Sequence, residues 1–219
     1  MARDESAPFA RGETFANGNL EILNAANGPY GLGGVNLEGK EFLFEPNADG
    51  QGGTSYGLLG PDPNGRPIRV KVVRNVSGIS LKPKRLVRYQ IATAGINLET
   101  RVDGYTFAVA DVPAGIVDEF LPAAGVPDQD LFYIVVSGPT IGTSMATGTP
   151  AINHGDILVP GSGTAKNNND SGRLDSQSLA GATTTLGANL QNRVGRSDGI
   201  SAVATATVNI PVVVSLGVR

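Results

Sequence analysis

The sequence predicts a mainly β protein, a small β-barrel or β-sandwich preceded by an extended, irregular N-terminal arm. Three observations carry that expectation. Glycine (30) and proline (14) make up about a fifth of the 219 residues, above the ~12% of average usage, which favours turns and extended strands over long helices. Hydrophobic residues reach 40% while aromatic ones reach only 5%, so the core must rest on Val, Ile, Leu and Ala. From Pro67 onward, short apolar runs recur between Gly, Pro and Asp turns at the spacing of sandwich or barrel strands.

Residues 1–65 are mostly punctuation, with "NAANGPYGLGG", "NADGQGG" and "LGPDPNGRP" breaking any element before it can grow. Only "KEFLFEP" reads as a strand there. Phe9, Phe15, Leu20, Ile22, Leu23, Tyr30 and Phe42 to Phe44 are too apolar for a solvated tail. The expectation is an arm lying on another surface such as a neighbouring subunit, against an irregular first layer of the same domain. Residues 66–219 then form the β-rich domain.

Within it, Ile68, Val70 and Val72 of "PIRVKVV" alternate with Arg69 and Lys71, the period of a half-buried strand. "RLVRYQIA", "GYTFAVA" and "DLFYIVVSG" follow. "LFYIVV" is apolar on both parities and should be a central strand covered on two faces. "VNIPVVVSLGV" is another apolar run, and Pro211, which can donate no ladder hydrogen bond, points to an edge or a bulge. Residues 167–192 should be a flexible insertion, mobile over Asn167–Gly172, with at most a short helix in "SQSLAGATTTLGANLQ".

The composition excludes whole classes of chemistry. No cysteine is present, so disulfides, thiolate metal sites and thiol nucleophiles are ruled out. A single histidine, His154, cannot build a multi-histidine zinc site. The first residues mix charges of both signs with no apolar h-region, and no run approaches the ~20 residues that span a bilayer. The expected place is therefore a cytoplasm, unless the chain leaves on a particle, with no membrane partner.

His154 lies two residues from Asp156 in "INHGDILVP", and a hydrolase would add a distant serine such as Ser144. No G-x-S-x-G elbow accompanies them. His-Gly-Asp is better read as a turn feeding a strand, because glycine permits positive φ and aspartate bonds nearby backbone amides. Asp118–Glu119 and Asp128/Asp130 have the look of exposed turns rather than paired acids of a glycosidase, and "PDQD" lacks the glycine and final glutamate of a calcium loop. The stretches "GPYGLGG" and "GPDPNGRP" match no phosphate-binding pattern. No catalytic residue, metal ligand or cofactor is expected.

Charge is segregated. Arg66, Arg69, Lys71, Arg74, Lys82, Lys84, Arg85 and Arg88 carry eight positive charges with no acid between them. Glu99, Asp103, Asp111, Asp118, Glu119, Asp128 and Asp130 then stand against Arg101 alone. Two solvated faces of one sheet explain this as well as surfaces that meet between subunits. Nucleic acid is a weaker partner for the basic block, since only Tyr89 is near enough to stack a base. With Phe9, Phe15, Asp118 and Glu119, the basic residues Arg66, Arg69, Lys71, Lys82, Lys84, Arg85 and Arg88 form the candidate interface.

The order of "GIVDEFLPAAGVPDQDLFYIVVSGPT", "GTPAINHGDILVPGSGTAK" and "RVGRSDGISAVATATVNIPVVVSL" resembles the head decoration, or cement, proteins of tailed bacteriophages. The likeness runs over Gly115–Leu216: a buried strand ending in "VSGP", an "A-I-x-x-G-D-x-L-V" segment, a Gly-Thr-Ala hairpin, and "VGR" before a final Val-rich strand. "NNNDSGRLDSQSLAGATTTLGANLQN" is longer than the pattern, and the arm before Pro67 has no counterpart in it. The resemblance implies a non-enzymatic, often trimeric virion protein on the capsid surface, assembled in the host cytoplasm. Its implied partners are the major capsid protein and copies of itself. A carbohydrate- or receptor-binding module of a phage fibre is the alternative, disfavoured by five tyrosines and no tryptophan. A hydrolase using His154 comes third.

Overall fold

The computed structural model describes residues 7, 9–15, 37–44, 66–91, 97–107, 111–144, 152–161, 171–176, 193–198 and 209–216. These are mainly β, with ten strands in one sheet and no helix among the described residues. In chain order they are β1 (Glu41–Phe44), β2 (Ile68–Asn75), β3 (Leu86–Ile91), β4 (Asn97–Tyr105) and β5 (Pro113–Val117), then β6 (Leu131–Thr143), β7 (Ile157–Pro160), β8 (Leu174–Ser176), β9 (Gly195–Ser197) and β10 (Asn209–Ser215). The sheet runs β1-β2-β4-β3-β5-β6-β10-β9-β7-β8, and β2 also pairs with β6. That extra ladder returns the sheet on itself, so β2, β4, β3, β5 and β6 form a continuous circuit of hydrogen-bonded neighbours.

β6 organises everything else because its sequence is apolar on both parities. Leu131, Tyr133 and Val135 enter one core, while Phe132, Ile134 and Val136 enter a second. This is the doubly covered central strand that "LFYIVV" predicts. All five circuit strands supply the second core, through Val73, Val87, Val102, Val117 and the β6 residues. The first core lies on the other face, where Ile68, Val70 and Val72 of β2 meet Phe42 and Phe44 of β1, Leu158 of β7 and Ile210, Val212 and Val214 of β10. β2 pairs with the first half of β6 and β10 with the second. Between Arg69 and Val70 the β2–β6 register slips, with Arg69 opposite Ser137 and Val70 opposite Val135. Val136 is thus the extra residue of a bulge at the point where β6 changes partner.

Several elements depart from expectation. "GYTFAVA" reads as a strand, yet β4 lies earlier, over Asn97–Tyr105, and ends before Thr106 and Phe107. The β4 stretch "NLETRVDGY" looks too polar for a central strand, yet Glu99 finds Lys71 on β2, Asp103 finds Arg88 on β3, and Arg101 faces Glu38. Pro211 is not on an edge strand: β10 lies between β6 and β9. The Pro211 carbonyl accepts from the Asp198 amide at 2.9 Å, so its missing N–H also faces the β9 side, where pairing begins only at Val212. The loss is confined to one bond, the one a residue with an N–H here would give to the Asp198 carbonyl, at the end of the β9–β10 ladder. In the range expected as an insertion, Ser171–Ser176 are described, and they end in β8 with Ser171, Gly172 and Leu174 buried. The helix weighed over "SQSLAGATTTLGANLQ" and residues 162–170 lie outside the described residues.

Candidate interaction surface

The most elaborate polar arrangement lies where residues 9–15 cross the end of β5. After Val117 the chain turns through Asp118 and Glu119, and these side chains are buried, not exposed turn residues as their sequence suggests. Arg11 covers them. Its Nη2 and Nε donate to Asp118 Oδ1 at 2.6 and 3.1 Å, and the Gly12 amide donates to Asp118 Oδ2 at 2.8 Å. The guanidinium also lies over the Phe120 ring, 4.6 Å from its centroid. Gly12 is required there twice over: its φ is +84°, and a Cβ would come within 2.9 Å of the Phe120 carbonyl oxygen.

Aromatic packing continues the seat along β6. Phe9 stacks on Tyr133 with centroids 4.2 Å apart, and the Tyr133 hydroxyl donates to the Phe9 carbonyl at 2.9 Å. Burial pushes the Tyr133 pKa up, opposed by that bond. Phe15 forms an antiparallel bridge with Leu131, closed by amide-to-carbonyl bonds of 2.9 and 3.0 Å. The two phenylalanines of the candidate interface therefore pack on this chain's own core.

Glu119 is the unsatisfied member. Its Oε1 lies 3.8 Å from Arg11 Nη2, and neither carboxylate oxygen has a hydrogen-bond partner. Burial pushes its pKa up to about 8; the Arg11 charge opposes the rise, Asp118 adds to it, and Lys84 opposes it. The rise favours the uncharged acid, the form that costs less to bury.

The two charge blocks meet inside the chain. Lys71, 7% exposed, places its Nζ 3.4 Å from both Glu99 Oε2 and the Tyr89 hydroxyl. Burial first, then Glu99 and Glu41, drives the Tyr89 pKa up. Arg88 bridges Asp103 and Asp111, each at 3.0 Å, with its guanidinium against the Phe107 ring. Arg74 pairs with Glu38, which also faces Arg101, and Arg69 faces Glu41 at 3.6 Å. Arg66 reaches Asp198 at 2.6 Å. Lys82 and Arg85 donate to backbone carbonyls, of Ala123 and Ala124 and of Ser171 respectively. Lys84 has a φ of 64°, and its backbone bonds to Val117 and Thr143. Sequence spacing separates the charges into blocks; the β2–β4–β3 order returns Lys71 to Glu99 and Arg88 to Asp103, while Arg66, Arg69 and Arg74 pair with acids outside the acidic block.

His154 takes the turn its sequence indicates. Gly155 has φ +87°, the Asn153 amide donates to Asp156 Oδ2 at 2.8 Å, and Asp156 leads into β7. The imidazole is 69% exposed and its Nδ1 sits 4.0 Å from Asp198, while Ser144 is buried beside Leu174. Asp128 caps the Gly78 amide, and Asp130 is buried. Among the described residues, no three His, Asp or Glu side chains gather as metal ligands.

Two residues central to this geometry escape a sequence reading. Arg11 and Asp118 are 107 positions apart, and nothing in "PFARGE" identifies its partner. Asn75 is fully buried, donating to the carbonyls of Ile79, Val126 and Pro127 and accepting from Ser77. "RNVSG" gives only the signal of a polar residue at the end of a strand.

No protein-family model and no curated protein matches the chain. Among solved structures, the head fiber gp8.5 N base in bacteriophage phi29 is similar at 15% identity and a TM-score of 0.37, over 68% of this chain and 94% of that chain.

Proposed function

We infer that this chain is a virion structural protein that binds an icosahedral capsid and stabilises it by bridging capsid subunits, without catalysis. The observation that carries the reading is the ordered likeness of Gly115–Leu216 to tailed-phage decoration proteins. Its segments are neighbours in space as well as in sequence. The "VSGP" strand is part of β6, the final Val-rich run is β10, "VGR" opens β9 and the "G-D-x-L-V" segment becomes β7. These four stand side by side as β6-β10-β9-β7.

The physical character of the chain supports the same reading. Its charged side chains are used to lock neighbouring strands and its one histidine sits on an exposed turn, so the chemistry on view is that of holding a shape. A bridging protein gains from repeating a modest contact around a closed shell, because each added contact is made at a raised local concentration. The test is co-sedimentation of the purified chain with genome-filled and empty heads of a tailed phage from the same source. Saturable binding, at a fixed number of copies per shell and with greater resistance of the shell to heat, is the expected result. Heads that neither bind the chain nor gain stability overturn the reading.

A further inference from the structure

We propose that residues 9–15 are an exchangeable strap, and that the seat formed by Asp118, Glu119, Phe120, Leu131 and Tyr133 accepts the strap of a second copy of this chain. The inference goes beyond the capsid reading and does not depend on it. It rests on a contrast between how the strap is held and how it is tethered.

The holding is specific. The seat recognises an aromatic ring on Tyr133, a guanidinium between Asp118 and Phe120, a residue without Cβ beneath the Phe120 carbonyl, and an extended backbone at Leu131. Any copy of the strap satisfies these requirements equally well, because the same residues would make the same bonds. The tether is long. Residues 16–36, 21 in all, join Phe15 to the next described segment, and five are glycine and five asparagine. Fully extended, such a length reaches as far as ~70 Å, well beyond the width of a domain of this size. By its length alone, a 21-residue join permits a local concentration of no more than about millimolar. Copies crowded together reach the same range, so the seat then discriminates little between its own strap and a neighbour's. This is the condition for exchange of an identical element between protomers. Docking also buries both Glu119 carboxylate oxygens without hydrogen bonds, which offsets part of what the strap's other contacts contribute.

Charge reversal tests this in the full-length chain. An R11E protein places two acids together in its own seat, and a D118R protein places two cations together. Only a strap passed to the other variant pairs opposite charges at both seats. The expected result is a 1:1 hetero-complex on mixing, at least tenfold more abundant by native mass spectrometry than any complex of either variant alone. No hetero-complex, with both variants still folded by circular dichroism, overturns the proposal. A second measurement covers the case in which a variant fails to fold. Phe15 and Leu131 exchange both backbone hydrogen bonds, an arrangement with Cα atoms about 5.5 Å apart, within disulfide reach. In a chain with no other cysteine, F15C combined with L131C, refolded and then oxidised, reports directly on which copy fills the seat. Between-chain disulfides that form near 0.5 mM and give way to within-chain ones near 1 µM support exchange. Within-chain bonds alone at both concentrations overturn it.

Discussion

Replacing Glu119 with glutamine keeps the side chain's shape and removes its proton chemistry, so it isolates the cost of burying that acid. The group's midpoint moves from an ordinary 4.5 to about 8 on folding. Each tenfold change in proton affinity is worth about 1.4 kcal/mol, so the full difference amounts to on the order of 5 kcal/mol, taken as an upper figure. The sign follows from which state holds the proton. Below pH 4.5 the acid is protonated in both folded and unfolded chains and contributes nothing. Between 4.5 and 8 the unfolded chain ionises first, the folded chain binds more protons, and stability falls as pH rises. Above 8 the loss is complete. The glutamine variant has no such slope at this position. Urea denaturation from pH 4.5 to pH 9 should therefore show E119Q gaining on the native protein steadily, by several kcal/mol in all. Any fixed offset from the amide's own hydrogen bonding leaves that slope unchanged. A difference that stays flat across the range refutes the reasoning, because it would mean that the carboxyl ionises as freely in the folded chain as in the unfolded one.

Asn75→Ala removes three bonds to carbonyls that each keep another donor, takes the acceptor from the Ser77 amide and empties a site with no exposure, so chemical denaturation should report a loss of about 2–4 kcal/mol. Tyr133→Phe removes one hydrogen bond to the Phe9 carbonyl and should cost about 0.5–1.5 kcal/mol, with faster amide exchange at strap residues as the specific sign that the strap loosens. His154→Ala alters a 69%-exposed side chain; its melting point should stay within the shift expected for about 0.5 kcal/mol, and it should behave as the native chain does in the proposed co-sedimentation with phage heads. Limited proteolysis should spare the bonds from Ser171 to Ser176, where the Gly172 amide and carbonyl are bonded to Thr106 and Leu86 at 2.6 and 2.7 Å. An early cut within that span would show that β8 is not held as described.

The alternation of Ile68, Val70 and Val72 was enough to locate β2, and the double-parity run "LFYIVV" located the strand around which both cores are built. The turn at His154–Gly155 was legible for a local reason: glycine and aspartate act on their own immediate backbone. What escaped was β4. Its polar face does meet water at Glu99 and Arg101, but the opposite face carries Thr100, Val102 and Gly104, too little apolar alternation for the period of a strand to show. The buried pair Asp118–Glu119 escaped for a different reason. Charged residues after a strand signal a solvated turn unless something covers them, and the cover, Arg11, comes from more than a hundred residues away in the chain.

By itself, then, the sequence determined the β character, the absence of thiol chemistry, the central strand and the local turns, all of which follow from the period of side chains and the conformational range of single residues. Tertiary structure alone decided that β2 returns to β6, that Lys71 and Arg88 meet Glu99 and Asp103 across β2, β4 and β3, and that Arg11 rests on Asp118. Those outcomes depend on strand order and register, which bring together side chains whose separation along the chain carries no trace of their meeting.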